Sequence, residues 1–366
     1  MEDARLSAFA TVMQQESLHA VALVPGANFR RVFGKDFHQN ERPLVVLALA
    51  SGQAKAVVPH LEMASFAKLE FKGEVFPWRD EEGFEAAFQA CGSAAGALKT
   101  IGVEGQRMRV FEYLALCRAF PGAVVSDAHK KISQLRVLKT PAEIETLRRA
   151  VQVSEAALEA TLRQVRVGLT ETQVESILLN ELFANGAEGL SFAPIVAAGS
   201  NSAQPHAKAR PDYRIQEGDA LLIDFGARVQ GYCADLTRTV FVAKVSDEDR
   251  VFYDTVARAN AAGREAARPG LPAGELDDLV LRVLETSPYR AFTRHKTGHG
   301  LGLDVHEEPY IMRGNATALR PGMVFTIEPG LYQLGKVGVR IEDDVVITEN
   351  GCEVLSSFPR DLRIVG

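Results

Sequence analysis

Four carboxylates and one imidazole, Asp224, Asp235, His299, Glu328 and Glu342, are spread over 119 positions of a 366-residue chain. Each sits in a segment that reads as a strand or a tight turn: LLIDFGA, YCADLTRTV, KTGHGLGLDVHEEP, FTIEPGLY and GVRIEDDVVI. A carboxylate at the end of a buried strand is costly unless it is paired or bound to metal. A fold that accepts all five must therefore bring several strand ends to one place and neutralise them there. Four carboxylates carry about −4 and two divalent cations about +4; a bridging hydroxide adds about −1, which Arg340 can offset. Mostly oxygen donors with one imidazole suit Mn²⁺ or Co²⁺, or Zn²⁺ and Fe²⁺ under other supply. A set without thiolates argues against structural zinc.

The local patterns are permissive one by one. Asp224 ends the apolar run ALLID, and Asp235 follows eleven residues later across Gly226 and Gly231. An odd offset puts the two on opposite faces of one continuous strand, so a hairpin or a bulge is needed to unite them. Glycines on both sides of His299 allow backbone to approach closely. Arg340 and Glu342 share a strand face, which is also the pattern of an ordinary exposed cross-strand ion pair.

The length favours two domains, and 46% apolar with 24% charged residues is ordinary for a globular protein. A net charge of −6, with no basic stripe, argues against nucleic acid as a partner. No run is long enough to span a bilayer. The start, MEDARLSAFATVMQQES, is amphipathic and lacks the features of a secretory signal. Cys91, Cys117, Cys233 and Cys352 show no metal-binding spacing and read as reduced thiols in a cytoplasmic protein.

The first third alternates strands (HAVALVPG, RPLVVLALASG, QAKAVVP, TIGVEG) with helices (HLEMASFAKLEF, EEGFEAAFQACGSAAGALKT), an α/β pattern. His19, His38, His60 and His129 there lack acidic partners at useful spacing. A boundary is expected within 127–136, dividing the chain into domains 1–132 and 133–366. Thr140, Pro141 and Glu143 then start a helix. Its face, Ile144, Leu147, Val151, Ser154, Leu158, Leu162 and Val165, is expected to run on to a stop at Gly168. Thr170 with Gln173 starts a second helix, ended by Asn185-Gly186. Strands and loops over 190–245, helices over 247–267 and 273–286, and strands over 291–350 hint at a pseudo-repeat of two helices followed by strands.

IDFGARVQGYCADLTRTV, TGHGLGLDVHEEP, TIEPGLY and VRIEDDVVI together resemble the pita-bread metallopeptidases: prolidase (Xaa-Pro dipeptidase), aminopeptidase P and methionine aminopeptidase. The resemblance covers residues 136–360. The first 130 residues look like the N-terminal domain of the prolidase and aminopeptidase P branch, which methionine aminopeptidases usually lack. It implies an α/β N-terminal domain and an α+β pita-bread (creatinase/aminopeptidase-like) catalytic domain. It further implies two divalent ions, manganese foremost, a small peptide substrate with proline second, and a homodimer.

Carried over by motif, Asp224 chelates one metal and Asp235 bridges both. His299 and Glu328 complete the second, and Glu342 bridges again. Glu328 doubles as general base, while His206, His295 and His306 flank the substrate. His306 contacts the scissile carbonyl or the proline nitrogen, and Arg340 sits beside Glu342. Hydrolysis of the bond before proline in a dipeptide is the expected activity, with Xaa-Pro aminopeptidase action on longer peptides as the alternative. Arg210, Arg294 and Arg313 are candidates to hold a dipeptide's free carboxylate, and Phe192 to wall its pocket. The resemblance fails at Val229, where many relatives carry a tyrosine of a proton relay; the nearest tyrosine is Tyr232. Metal-free creatinase-like relatives do not keep all five ligands. Non-enzymatic binding modules on this scaffold tend to lose ligands and gain charged tails, unlike the RDLRIVG end of this chain.

Overall fold

A computed structural model describes residues 4–366; the first three residues of the amphipathic N-terminal pattern lie outside it. The chain separates into two compact units, one up to Arg136 and one of Val137–Gly366.

The first unit is a mixed six-stranded sheet. Its strands are β1 (Ala20–Leu23), β2 (Val45–Leu49), β3 (Ala54–Pro59), β4 (Glu74–Trp78), β5 (Thr100–Val103) and β6 (Val124–Asp127), in the order β4-β3-β2-β1-β5-β6. Helices α1 (Phe9–Gln15), α2 (Ala27–Phe33), α3 (Met63–Ala67), α4 (Glu85–Ala95), α5 (Val110–Ala119) and α6 (His129–Ser133) accompany it. Alternation along β2 explains why both faces are covered. Val46 and Ala48 join a cluster with Phe9, Phe29 and Ile132, while Val45 and Leu47 join Trp78, Phe88 and Leu116 on the other side. Helix α4 is shorter than the run EEGFEAAFQACGSAAGALKT suggests. Gly83 (φ +71°) and Gly96 (φ +76°) bracket it in the left-handed region, so the chain leaves the helix there. Strand β4 and helices α2 and α5 were not legible from periodicity.

One buried group in this unit has a measurable consequence. Glu104 is 1% exposed, and its Oε1 accepts from Asn28 Nδ2 at 2.7 Å. Burial pushes its carboxyl up to about 7, against the smaller opposing pull of Asn28. A carboxyl raised on folding stabilises the native state below its unfolded value and loses that contribution as pH rises through the folded one. Glu104→Gln is therefore expected to be more stable than the parent at pH 8, by on the order of 3 kcal/mol, and equal to it near pH 4. Urea unfolding of both proteins across that range checks this.

The second unit begins with α7 (Pro141–Leu162). Thr140 N donates to Glu143 Oε2 at 2.8 Å and Glu143 N to Thr140 Oγ1 at 3.4 Å, the expected capping box. The helix ends at Leu162, not at Gly168. Val165 stays buried in the same cluster as Leu158 and Leu162, so the apolar rhythm continues after the backbone has turned. Ile144 is only partly buried; Ala150, Ala157 and Thr161 complete the inward face. Helix α8 (Glu171–Ala184) follows, with the Thr170–Gln173 capping box.

Strands β7 (Gly189–Leu190), β8 (Ile195–Ala198), β9 (Ala220–Phe225), β10 (Ala227–Val229), β11 (Tyr232–Cys233) and β12 (Leu236–Val242) come next, then helices α9 (Asp247–Ala266) and α10 (Ala273–Glu285). After them lie β13 (Gly298–Gly300), β14 (Glu307–Ile311), β15 (Val324–Ile327), β16 (Gly330–Gln333), β17 (Val337–Arg340), β18 (Asp343–Ile347), β19 (Cys352–Val354) and β20 (Ile364–Val365). Two helices and then strands thus occur twice. The strands form one sheet ordered β20-β12-β9-β8 and another ordered β14-β13-β15-β18-β19, with smaller sheets β11-β10-β7 and β16-β17. Among the described residues no helix is long and apolar enough to cross a membrane.

Candidate metal centre

The Asp224–Asp235 spacing is resolved by a hairpin. Strands β9 and β12 pair antiparallel, with Asp224 opposite Thr237 and Phe225 opposite Leu236. Asp235 immediately precedes β12, and the small β10–β11 hairpin takes up the intervening residues. His299 comes from β13, which runs between β14 and β15. A Cβ on Gly298 would lie 2.0 Å from Thr326 O, and one on Gly300 2.3 Å from Glu308 O. Only glycine fits on either side of the histidine. Glu328 follows the last residue of β15, and Glu342 lies in the two-residue link between β17 and β18.

All nine candidate site residues line one cavity of 990 Å³. Oxygen or nitrogen atoms of Asp235, His299 and Glu342 lie within 4.8 Å of one another. His299 Nε2 is 3.6 Å from Asp235 Oδ2 and 3.3 Å from Glu328 Oε1. His299 Nδ1 is 3.1 Å from Gly300 O; the carbonyl can only accept, so Nδ1 carries the proton and Nε2 turns its lone pair toward the carboxylates. Burial, with His306 nearby, lowers His299 to about 3, so its ring is neutral at pH 7. Burial first, then the neighbouring carboxylates, raises Asp235 and Glu342 well above the ordinary range. Burial first also raises Glu328, to about 7.

Lone pairs facing one another across a buried site are unfavourable without a cation. Asp224 Oδ1 and Asp235 Oδ1 are likewise buried, without a hydrogen-bond partner among the described residues. The donor set, neutral imidazole plus carboxylates, fits divalent metal.

The surrounding groups hold these side chains in place. Arg340 and Glu342 are not an exposed ion pair: they are 3% and 1% exposed. Arg340 Nη2 donates to Asp224 Oδ2, Nε to Thr237 Oγ1 at 3.1 Å and Nη1 to Tyr332 OH at 2.7 Å. Thr237 Oγ1 donates in turn to Glu342 Oε2 at 2.5 Å. Asp235 N donates to Asp344 Oδ2 at 3.0 Å. Buried Arg238 ties Asp343 Oδ1, at 2.8 Å, to the carbonyls of Thr237 and Phe358.

His306 packs edge-on against His299, ring centroids 4.2 Å apart. His295 Nε2 lies 2.7 Å from Tyr332 OH and its Nδ1 2.8 Å from Lys296 O. Burial lowers His295 to about 4. His206 and His306 are exposed to the cavity. Phe192 lines it too, with Pro194 and Ile195.

Of the three candidate arginines, only Arg294 lines the cavity. Arg210 is bound to the buried carboxylate of Glu171, and Arg313 pairs with Asp278 and Glu285 on the surface.

Tyr332 went unrecognised in the sequence reading. It is fully buried and joins Arg340 to His295. Tyr232, the tyrosine nearest Val229, instead donates to Glu143 Oε1 at 2.5 Å at the start of α7.

Buried carboxylates, a neutral histidine and an apolar-walled cavity define a metal-dependent hydrolase. Residues 145–349 match the model of metallopeptidase family M24, and residues 5–138 match the creatinase/prolidase N-terminal domain. The chain belongs to metallopeptidase family M24, the pita-bread fold, and is a metallopeptidase. It is 32% identical over 335 residues to the Xaa-Pro dipeptidase of Lactobacillus helveticus, covering 91% of each chain. The prolidase of Thermococcus sibiricus superposes with a TM-score of 0.94 at 32% identity, over 99% of this chain and 98% of that one. The X-Pro aminopeptidase of Thermotoga maritima MSB8 does so with a TM-score of 0.84 at 31% identity, over the whole of both chains.

Proposed function

We propose that this protein is an Xaa-Pro dipeptidase that hydrolyses the peptide bond before proline. The observation that carries the proposal is the convergence of Asp224, Asp235, His299, Glu328 and Glu342 in one buried cavity with His206, His295 and His306 around them. The prolidases and Xaa-Pro dipeptidases it resembles support the same reading. Residues 133–366 act as the catalytic domain and residues 1–132 as a separate N-terminal domain.

Asp224, Asp235, His299, Glu328 and Glu342 would hold two divalent ions. Manganese suits this oxygen-rich set, with cobalt, zinc or iron as substitutes. Bound there, the ions would acidify a water and polarise the scissile carbonyl. Glu328 accepts a proton and passes it toward the leaving nitrogen. His306 donates to the oxygen on which charge develops. The Arg340 guanidinium orients Asp224.

An Xaa-Pro bond is a tertiary amide without an N–H, and the ring fixes the backbone. The site must therefore grip the ring and protonate the imino nitrogen. His206, His295 and the wall of Phe192, Pro194 and Ile195 provide for the first.

Arg294 favours the dipeptidase over the aminopeptidase. It lines the cavity, and no ion pair engages it among the described residues, so it is available for a free carboxylate. Comparing Ala-Pro with Ala-Pro-Ala is the decisive assay. Turnover of Ala-Pro at least ~10-fold above the tripeptide is expected, equivalent to about 1.4 kcal/mol. Cleavage confined to the tripeptide would make the chain an Xaa-Pro aminopeptidase.

His306→Ala is expected to lower kcat by about 100-fold, the size of one proton-transfer or oxyanion contact, with metal content unchanged. Loss of bound metal would instead make His306 a ligand.

Four unpaired cysteines suit a cytoplasmic place. The homodimer implied by the resemblance is open to sedimentation measurement.

A further inference from the structure

We infer that Asn260, on the inward face of α9, is a positioning residue for the metal centre, acting through the two backbone segments that carry Glu328 and Glu342. The inference rests on the assignment of those two carboxylates as ligands.

Asn260 is fully buried. Its Nδ2 donates to Ile327 O at 3.0 Å and to Ile341 O at 3.3 Å. Ile327 immediately precedes Glu328, and Ile341 immediately precedes Glu342. The orientation of the amide is determined. Its Oδ1 accepts from Arg264 Nε at 2.8 Å, and a guanidinium can only donate, so the NH₂ must face the two carbonyls.

The location matters because the ladder ends there. Strands β15 and β18 pair as far as Ile327 opposite Asp343. Beyond that pair the chains fork, one leading into Glu328 and β16, the other back through Glu342 to β17. Before β16 and β17 pair again at Gly330 opposite Arg340, the branches are bridged by the Asn260 amide and by the bond from Ile341 N to Pro329 O at 3.4 Å.

Helix α9 is itself seated firmly at this place. On Gly263, one turn along, a Cβ would lie 2.8 Å from both Ile327 Cγ2 and Val280 Cγ2. Arg264, on the same helix, reaches to 3.6 Å from Asp343 Oδ2. A donor shared by Ile327 O and Ile341 O fixes the spacing of the two backbone segments from which both carboxylates project. Partners of this kind typically change metal affinity by about 10–100-fold when removed.

Asn260→Asp replaces the NH₂ with an oxygen of similar size, keeps Arg264 as a partner and sets an acceptor against two acceptors. Asn260→Ser withdraws the donor without adding charge. Val256→Ala serves as a control, because Val256 is fully buried on the same helix but has no side-chain donor to offer either carbonyl of the fork. Metal-free forms of each full-length protein are titrated with Mn²⁺ by calorimetry, and the visible spectrum of each is recorded with Co²⁺. Both Asn260 variants are expected to bind Mn²⁺ at least ~10-fold more weakly than the parent and to shift the Co²⁺ bands. Val256→Ala is expected to lower Tm while preserving affinity and spectrum.

A folded Asn260 variant with the parent's affinity and spectrum overturns the inference, as does equal weakening by Val256→Ala. Failure of the underlying metal assignment has a different signature: a parent protein that binds no Mn²⁺, or an Asp235→Ala variant that binds it normally.

Discussion

Asp235→Ala is expected to abolish peptidase activity and metal binding while making the metal-free protein more stable. Asp235 is buried, and burial together with Glu342, Asp224, Asp344 and Glu328 raises its proton affinity. In the absence of metal those carboxylates repel, so removing one relieves the strain. Its Oδ1 makes no hydrogen bond that would be lost, and its backbone N–H to Asp344 is kept. A rise in metal-free Tm of about 3 °C corresponds to roughly 1 kcal/mol in a unit of this size. Activity against Ala-Pro should fall by more than ~1,000-fold, since the acidified water depends on the ion. The same trade of stability for function holds at many active sites. Calorimetry of the metal-free variant beside metal analysis measures both effects. A destabilised variant that still binds metal would place Asp235 in a structural role.

Arg340→Met is expected to do the opposite to stability. The guanidinium makes bonds in different directions, to Asp224, Thr237, Tyr332 and, at 3.5 Å, Pro205 O, at 3% exposure. The facing Tyr332, Asp224, Glu342 and Glu328 more than overcome burial and hold it charged. Removing one partner of a buried ion pair costs about 3–5 kcal/mol, because the other charge is stranded. That lowers the Tm of the metal-free protein by about 10 °C. Arg340→Lys restores the charge but not the planar fork. It should recover much of the stability and little of the turnover. A variant with methionine that melts within a degree or so of the parent would show that Asp224 is held by other means.

The helices were legible where their boundaries are written in local chemistry. Thr140, Pro141 and Glu143, and again Thr170 and Gln173, marked starts that depend only on residues three apart. The end of α7 was hidden because Val165 packs into the same cluster as the helix it has already left. The five metal-type side chains were legible because burying a charge needs a reason that does not depend on register. The groups that hold them in place were not. Tyr332 occupies a strand position indistinguishable from core. Its phenol meets His295 and Arg340 only because β16 and β17 pair, with Gly330 opposite Arg340. Asp344 carries no local mark of its role, yet it accepts from Asp235 N across 109 positions. Asn260 was one polar residue in an amphipathic helix. In each case the partner is remote in sequence and selected by tertiary pairing.

The departure at Val229 is also clearer. The side chain near that position is not replaced by Tyr232, which is engaged with Glu143. Arg340 nevertheless has a phenol partner in Tyr332, from the opposite direction along the chain.

The proposed activity requires two divalent ions acting together on a bond before proline. Metal-free protein titrated with Mn²⁺ while Ala-Pro hydrolysis is followed tests this most directly. Activity should rise to a plateau at two equivalents per chain and vanish again on chelation. A plateau at one equivalent, or Ala-Pro hydrolysis that survives complete removal of metal, would contradict it.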